Sequence, residues 1–214
     1  VATSINKSFL KKSSSGALIP TLAKYLLDNN LVDGILTVKF IYTKNGPQPK
    51  PFIAVNSKDL INSQGSKYMP IPLLQDIDSI IEYKGNLAVI GTPCQIAGIR
   101  LVQKKNKILK NKIKYTISNF CGGYRDYRET EQLFKLNNIN KKNIKEFSYR
   151  GNGQPGFMTI KQNDKLDVSL KYPDYAKLTG YTKFHRCKVC VDATAELADI
   201  SFGDAWLPRF LKTN

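Results

Sequence analysis

The chain reads as an α/β protein: a mainly parallel sheet with flanking helices and an appended β-hairpin segment. Three features of the sequence predict this. Short apolar runs alternate with helical periodicities over residues 1–145, the arrangement that folds into a sheet covered by helices. Two strand-to-helix turns follow one another, at Gly91-Thr92-Pro93-Cys94 and at Cys121-Gly122-Gly123, and strands that feed helices in succession pair in parallel. Beyond residue 145 the alternation stops, and two strands hinged at Asn163-Asp164 take its place. Residues 1–145 are expected to form the core carrying Cys94 and Cys121. Residues 146–214 add a hairpin and a Cys-x-x-Cys segment, integrated with that core into one domain.

Ser13-Ser14-Ser15-Gly16 precede a helical pattern from Ala17 to Asn30. The serines can cap that helix, or offer an anion donors at its positive end. A strand over Val32–Phe40 leads to a turn at Lys44-Asn45-Gly46-Pro47. Pro47, Pro49 and Pro51 then keep the chain extended up to a second strand, Phe52–Val55. A helix starts at Ser57 and gives way to Gly65-Ser66-Lys67-Tyr68, where small residues beside a lysine and a tyrosine suit a phosphate and a stacked ring, with a plain loop as the alternative. An amphipathic helix over Leu73–Gly85 precedes the apolar run Leu87–Ile90, the first cysteine turn and a helix through Leu101. Alternation over Tyr115, Ile117 and Phe120 marks the strand before Cys121, and another helix follows Gly123. After Tyr149-Arg150-Gly151 come a glycine-rich bend to Gly156, the hairpin, and a short helix within residues 173–184. A last strand over Leu197–Trp206 carries Asp199, Gly203 and Asp204 at its end.

With 214 residues, 42% of them hydrophobic, the chain is long enough to bury a core. It has no apolar run near the ~20 residues a membrane span needs and no signal peptide, so the cytoplasm is the expected compartment. A start at Val1 and a stop soon after an apolar segment suggest a piece of a longer protein. The net charge of +16 comes from lysines scattered among asparagines, as in Lys104–Lys114. That distribution fits solvated helix faces and flavin or nucleotide phosphates; no aromatic-basic motif of the RNA-binding kind accompanies it, so no nucleic-acid partner is expected.

The four cysteines are Cys94, Cys121, Cys187 and Cys190. Zinc, disulfides, redox thiols and an iron–sulfur cluster are all open to them. Common zinc sites use two close Cys-x-x-Cys knuckles, and one is present here. The split spacing of one, one and two suits a cubane whose thiolates arrive from different loops. Cys94, at a helix start, sits where the dipole favours thiolate. His185 is near enough in sequence to replace a ligand or to bond a sulfur, or it is simply exposed.

Gly65-Ser66-Lys67-Tyr68, Gly91-Thr92-Pro93-Cys94-Gln95, Phe120-Cys121, Tyr149-Arg150-Gly151, Arg186-Cys187-x-x-Cys190, Ala198-Asp199-Ile200-Ser201 and Gly203-Asp204-Ala205-Trp206 occur in that order. Together they resemble the coenzyme F-420 (F420) hydrogenase/dehydrogenase beta-subunit family, over nearly the whole chain. The resemblance implies an iron–sulfur flavoprotein oxidoreductase that passes electrons between a 4Fe-4S cluster, FAD and a small acceptor. It implies Cys94, Cys121, Cys187 and Cys190 as cluster ligands, and Ser14, Ser15, Gly16, Gly65, Ser66, Lys67, Tyr68, Gly91 and Thr92 as cofactor contacts. The ferredoxin-like cysteine segment that many relatives carry ahead of this region is not in this sequence. The expected electron source is therefore a separate low-potential donor, such as ferredoxin or a partner subunit. The lysine- and asparagine-rich composition suggests a bacterium of an AT-rich lineage, and resemblance to bacterial relatives implies a glycan or cell-envelope metabolite as acceptor, with F420 as the other candidate. The rival reading is a non-catalytic, zinc-stabilised interaction domain that binds an acidic partner.

Overall fold

A computed structural model of the chain describes residues 1–163, 165–172, 174–177 and 182–208. The chain begins with helices α1 (Lys7–Lys12) and α2 (Leu18–Asp28), then strands β1 (Gly34–Thr43) and β2 (Gly46–Ala54). Helices α3 (Ser57–Ser63) and α4 (Ile77–Glu82) lead to β3 (Leu87–Gly91), α5 (Pro93–Lys105), α6 (Lys107–Lys112) and β4 (Ile113–Asn119). Helix α7 (Tyr127–Leu136) precedes β5 (Ile144–Ser148), β6 (Phe157–Gln162) and β7 (Lys165–Lys171). The short helices α8 (Asp174–Lys177) and α9 (His185–Lys188) and strand β8 (Ile200–Phe202) follow.

The central sheet has the order β2-β1-β3-β4-β8, and every neighbouring pair except β1 with β2 is parallel. Consecutive residues of its strands point to opposite faces. Ile35, Ala88 and Ile117 pack with Phe9, Ala23, Leu26 and Leu60 of α1–α3 on one side. Leu36, Leu87 and Val89 pack with Ile80, Ile96, Ile99 and Leu109 of α4–α6 on the other. Burial on both faces is why Leu87–Ile90 reads as an unbroken apolar run. Cys94 and Cys121 follow the carboxyl ends of two adjacent strands, and Gly203-Asp204 follow the end of the third.

Edge strand β2 begins at Gly46, so the prolines lie inside it instead of ahead of it: Pro47, Pro49 and Pro51 stand opposite Tyr42, Phe40 and Val38. Spaced by two, they leave one side of the strand without N–H donors. A proline-lined edge cannot recruit a further strand.

The appended element is a three-stranded antiparallel sheet, β5-β6-β7, a hairpin with one strand more than the sequence predicts. The added strand, β5, points Ile144 and Phe147 toward Leu133 and Phe134 of α7, and Met158 and Ile160 of β6 complete that core. The final strand pairs only over Ile200–Phe202. The expected serine cap of α2 is not formed. Its first residue is preceded by Ala17 in the left-handed region (φ 57°), and no side chain caps the helix.

Candidate functional site

Cys94 owes its position to the start of α5. The Thr92 amide donates to Gln95 Oε1 (2.9 Å), and Gln95 Nε2 donates to the Ile71 carbonyl (2.8 Å). Pro93, the first residue of the helix, fixes the turn. The Thr92 hydroxyl donates to Gln95 Oε1 (3.1 Å) and lies 3.6 Å from Cys94 Sγ. Gly91 receives the Ser118 hydroxyl on its carbonyl (2.8 Å). Gly91 and Thr92, expected as cofactor contacts, frame the first cysteine through these bonds.

Two loops interlock to bring in the other thiols. The Asp126 amide bonds the Thr182 carbonyl (3.0 Å), the Phe184 amide bonds the Tyr124 carbonyl (3.2 Å), and Arg125 bridges to Lys183. The Cys121 amide reaches the Ala193 carbonyl (2.9 Å). Backbone amides face two sulfurs: Gly123 N–H donates to Cys121 Sγ and Tyr124 N–H to Cys187 Sγ, both at 3.4 Å. Gly123 is held at φ 114°, where a Cβ would stand 3.2 Å from that of Cys187, so the loop approach needs glycine.

All four cysteines are free; Cys94 and Cys190 are exposed, Cys121 and Cys187 half-buried. Burial pushes the Cys121 thiol up, with the charges of Cys94, Cys187 and Cys190 adding to it, so the four form one electrostatic group. Among the described residues, no three His, Cys, Asp or Glu side chains already form a group that could hold a metal ion. The donor chemistry nonetheless suits an iron–sulfur cluster: soft thiolates from separate loops, with backbone N–H groups directed at sulfur.

The serine and lysine segments also meet. Ser14 Oγ lies 3.1 Å from Ser66 Oγ, accepts the Ser66 amide (3.3 Å) and donates to the Arg150 carbonyl (3.1 Å). The amides of Ser15, Gly16 and Ala17 donate to no acceptor among the described residues, directly ahead of uncapped α2. Consecutive free amides at a helix start suit a phosphate. The ring of Tyr68 lies 5.3 Å from Tyr149 and 6.4 Å from Tyr172. Lys67 is oriented otherwise. Its ammonium donates to the carbonyls of Ser63 (2.7 Å), Gly65 (3.0 Å) and Gln64 (3.3 Å), tying the loop to the end of α3. Burial pushes that ammonium down to about 7.

Three residues matter more than the sequence reveals. Arg150, 4% exposed, donates to Asp204 (2.9 Å), Ser14 O (2.8 Å) and Pro155 O (2.8 Å), and its guanidinium lies over the neighbouring rings of Tyr172 (4.8 Å) and Trp206 (5.3 Å). Asp204 thereby joins the serine segment to the end of β8. The Tyr124 hydroxyl is buried, and Cys94, Cys121 and Cys187 all act electrostatically on its phenol. Its backbone partners are too distant in sequence to signal this, and the run Cys121-Gly122-Gly123-Tyr124 reads as an ordinary turn. His185 is exposed, on α9.

Comparison with known proteins gives a consistent picture. Two profiles of the family described as "Coenzyme F420 hydrogenase/dehydrogenase, beta subunit" match the chain, the N-terminal one over residues 1–78 and the C-terminal one over residues 84–213. The chain is 28% identical to the coenzyme F420 hydrogenase subunit beta of Methanococcus voltae, over 99% of this chain and 75% of that one. It is 27% identical to the coenzyme F420-dependent sulfite reductase of Methanocaldococcus jannaschii, over 90% of this chain and 31% of that one. A chain of the F420-reducing [NiFe] hydrogenase complex from Methanosarcina barkeri superposes with a TM-score of 0.73 at 22% identity, covering 95% of this chain and 68% of that one.

Proposed function

This chain belongs to the coenzyme F420 hydrogenase/dehydrogenase beta-subunit family, and from that premise we propose that it is an iron–sulfur flavoprotein oxidoreductase. In this reading Cys94, Cys121, Cys187 and Cys190 hold a 4Fe-4S cluster, and FAD binds with its phosphates near Ser15, Gly16 and Ala17. Bound there, the cluster supplies single-electron transfer and the flavin supplies hydride chemistry.

The observation that carries the reading is a set of four free thiols on three segments, three of which act electrostatically on the fourth, Cys121, with backbone N–H groups donating to two of them. Those amides and the start of α5 favour negative charge on sulfur, which a thiolate ligand requires. Exposed Cys94 and Cys190 would keep one side of the cluster close to a docked donor, either ferredoxin or a partner subunit. Among the described residues no helix is long and apolar enough to cross a membrane.

The relatives bear on the acceptor. One is named for a hydrogenase and another for a sulfite reductase, and F420 is common to both names. We therefore take F420 as the hydride partner ahead of a glycan-derived acceptor, with the donor differing between relatives. Anaerobic reconstitution with iron, sulfide and FAD tests the whole reading. Expected are the visible spectra of cluster and flavin, loss of iron on replacing any of the four cysteines by serine, and flavin reduction by reduced F420. A colourless protein that takes up zinc and no iron or flavin would favour the zinc-stabilised interaction domain instead.

A further inference from the structure

Tyr124 sits in the loop that carries Cys121, its amide bonded to Cys187 Sγ. Its hydroxyl is buried and, among the described residues, makes no hydrogen bond. A buried hydroxyl that gives up its bonds to water without replacement destabilises the fold, so native structures seldom keep one unless a further group meets it.

The surroundings indicate which group that is. The Tyr124 amide is bonded to Cys187 Sγ and its carbonyl to the Phe184 amide, so both interlocked loops hold the residue in place. Cys94, Cys121 and Cys187 all act electrostatically on the phenol, which burial and these thiols together push up to about 12. The Thr92 hydroxyl also acts on it, without closing a bond of good geometry. An ordinary structural tyrosine would face a carbonyl or water. This one lies beside Thr92, whose own hydroxyl is 3.6 Å from Cys94 Sγ, and its backbone amide already bonds Cys187 Sγ.

We propose that Tyr124 tunes the site: its hydroxyl donates a hydrogen bond to sulfur of the iron–sulfur group held by the four cysteines and raises its reduction potential. The inference rests on the cluster reading above. A donor directed at sulfur stabilises the reduced, more negative state over the oxidised one. A phenol keeps its proton at neutral pH and can only donate there.

The test uses the whole chain, reconstituted anaerobically with iron and sulfide, as wild type, as Tyr124→Phe, and with 3-fluorotyrosine at position 124. Iron content is measured first, then the midpoint potential by spectroelectrochemistry. Tyr124→Phe keeps the ring and is expected to bind the same iron at a more negative potential. Fluorotyrosine, a stronger donor, is expected to shift the potential the opposite way, and it keeps the test decisive if the phenylalanine variant loses iron. Equal potentials in all proteins that load would overturn the role of Tyr124 and leave the cluster reading intact. A wild type that takes up no iron would overturn both.

Discussion

Arg150 and Asp204 form an ion pair of 2.9 Å across a separation of 54 residues, with the arginine side chain only 5% exposed. The same guanidinium also donates to Ser14 O and Pro155 O, so it ties the serine segment, the glycine-rich bend and the end of β8 to one point. Replacing Arg150 by Ala strands a carboxylate and two carbonyls together. The expected loss is about 3 kcal/mol, read as a lower urea midpoint. Lysine, lacking the planar fork, should restore less than half. An unchanged midpoint in Arg150→Ala would show that these segments are held by other contacts.

Gly203 lies against the Phe120 ring, and a Cβ there would stand 2.4 Å from Cδ2 and 2.6 Å from Cε2. Phe120 is 50% exposed and immediately precedes Cys121. Gly203→Ala should therefore cost about 1–3 kcal/mol or displace the ring, and the second course disturbs the cysteine loop. Iron uptake is expected to fall in Gly203→Ala and to recover when Phe120→Ala is added. Failure of the double variant to recover would place the damage in the backbone of β8.

Asp199 latches β8 onto the sheet. Its carboxylate accepts from the Thr116 amide (2.7 Å), the Thr116 hydroxyl (2.9 Å) and Arg100 (2.8 Å), and its amide bonds the Thr116 carbonyl (3.0 Å). Strand β8 has only three residues, so these bonds make up much of its attachment. Asp199→Ala should lower stability by about 1–2 kcal/mol, the carboxylate being partly exposed. Hydrogen exchange should quicken at Ser118–Phe120 while the β1–β3 amides stay protected; uniform exchange would show that β8 is not a separate unit.

The parallel core and the placement of Cys94 and Cys121 were legible because their signals are local. A strand buried on both faces is an apolar run, and each turn that follows carries its own glycine or proline. Strand β5 was not legible: a register shift between Ile144 and Glu146 breaks the alternation that would mark it. Arg150 stood out as part of a motif, but its partners Ser14 and Asp204 are 136 and 54 residues away, so its task could not be read. Lys67 shows the limit most clearly. Glycine, serine and lysine together suggest a phosphate, whereas the fold directs the ammonium into carbonyls of its own loop.

That placement gives a pH signature. Burial lowers Lys67 from 10.5 to about 7, working against the three carbonyls that favour its charge. Between these values the unfolded chain holds a proton that the folded chain has released, so the group's contribution to stability rises with pH from about 7 to about 10.5. Below pH 7 its cost is constant. Cys121 and Tyr124 work the other way: their raised values mean the unfolded chain loses protons first as pH climbs, so stability falls through that range. A comparison with Lys67→Met removes these shared contributions. The stability of Lys67→Met minus that of wild type, from urea unfolding, should grow as pH falls from about 10.5 to about 7 and then level off. Parallel curves across that window would mean that Lys67 keeps its charge in the fold, held by the carbonyls of Ser63, Gln64 and Gly65.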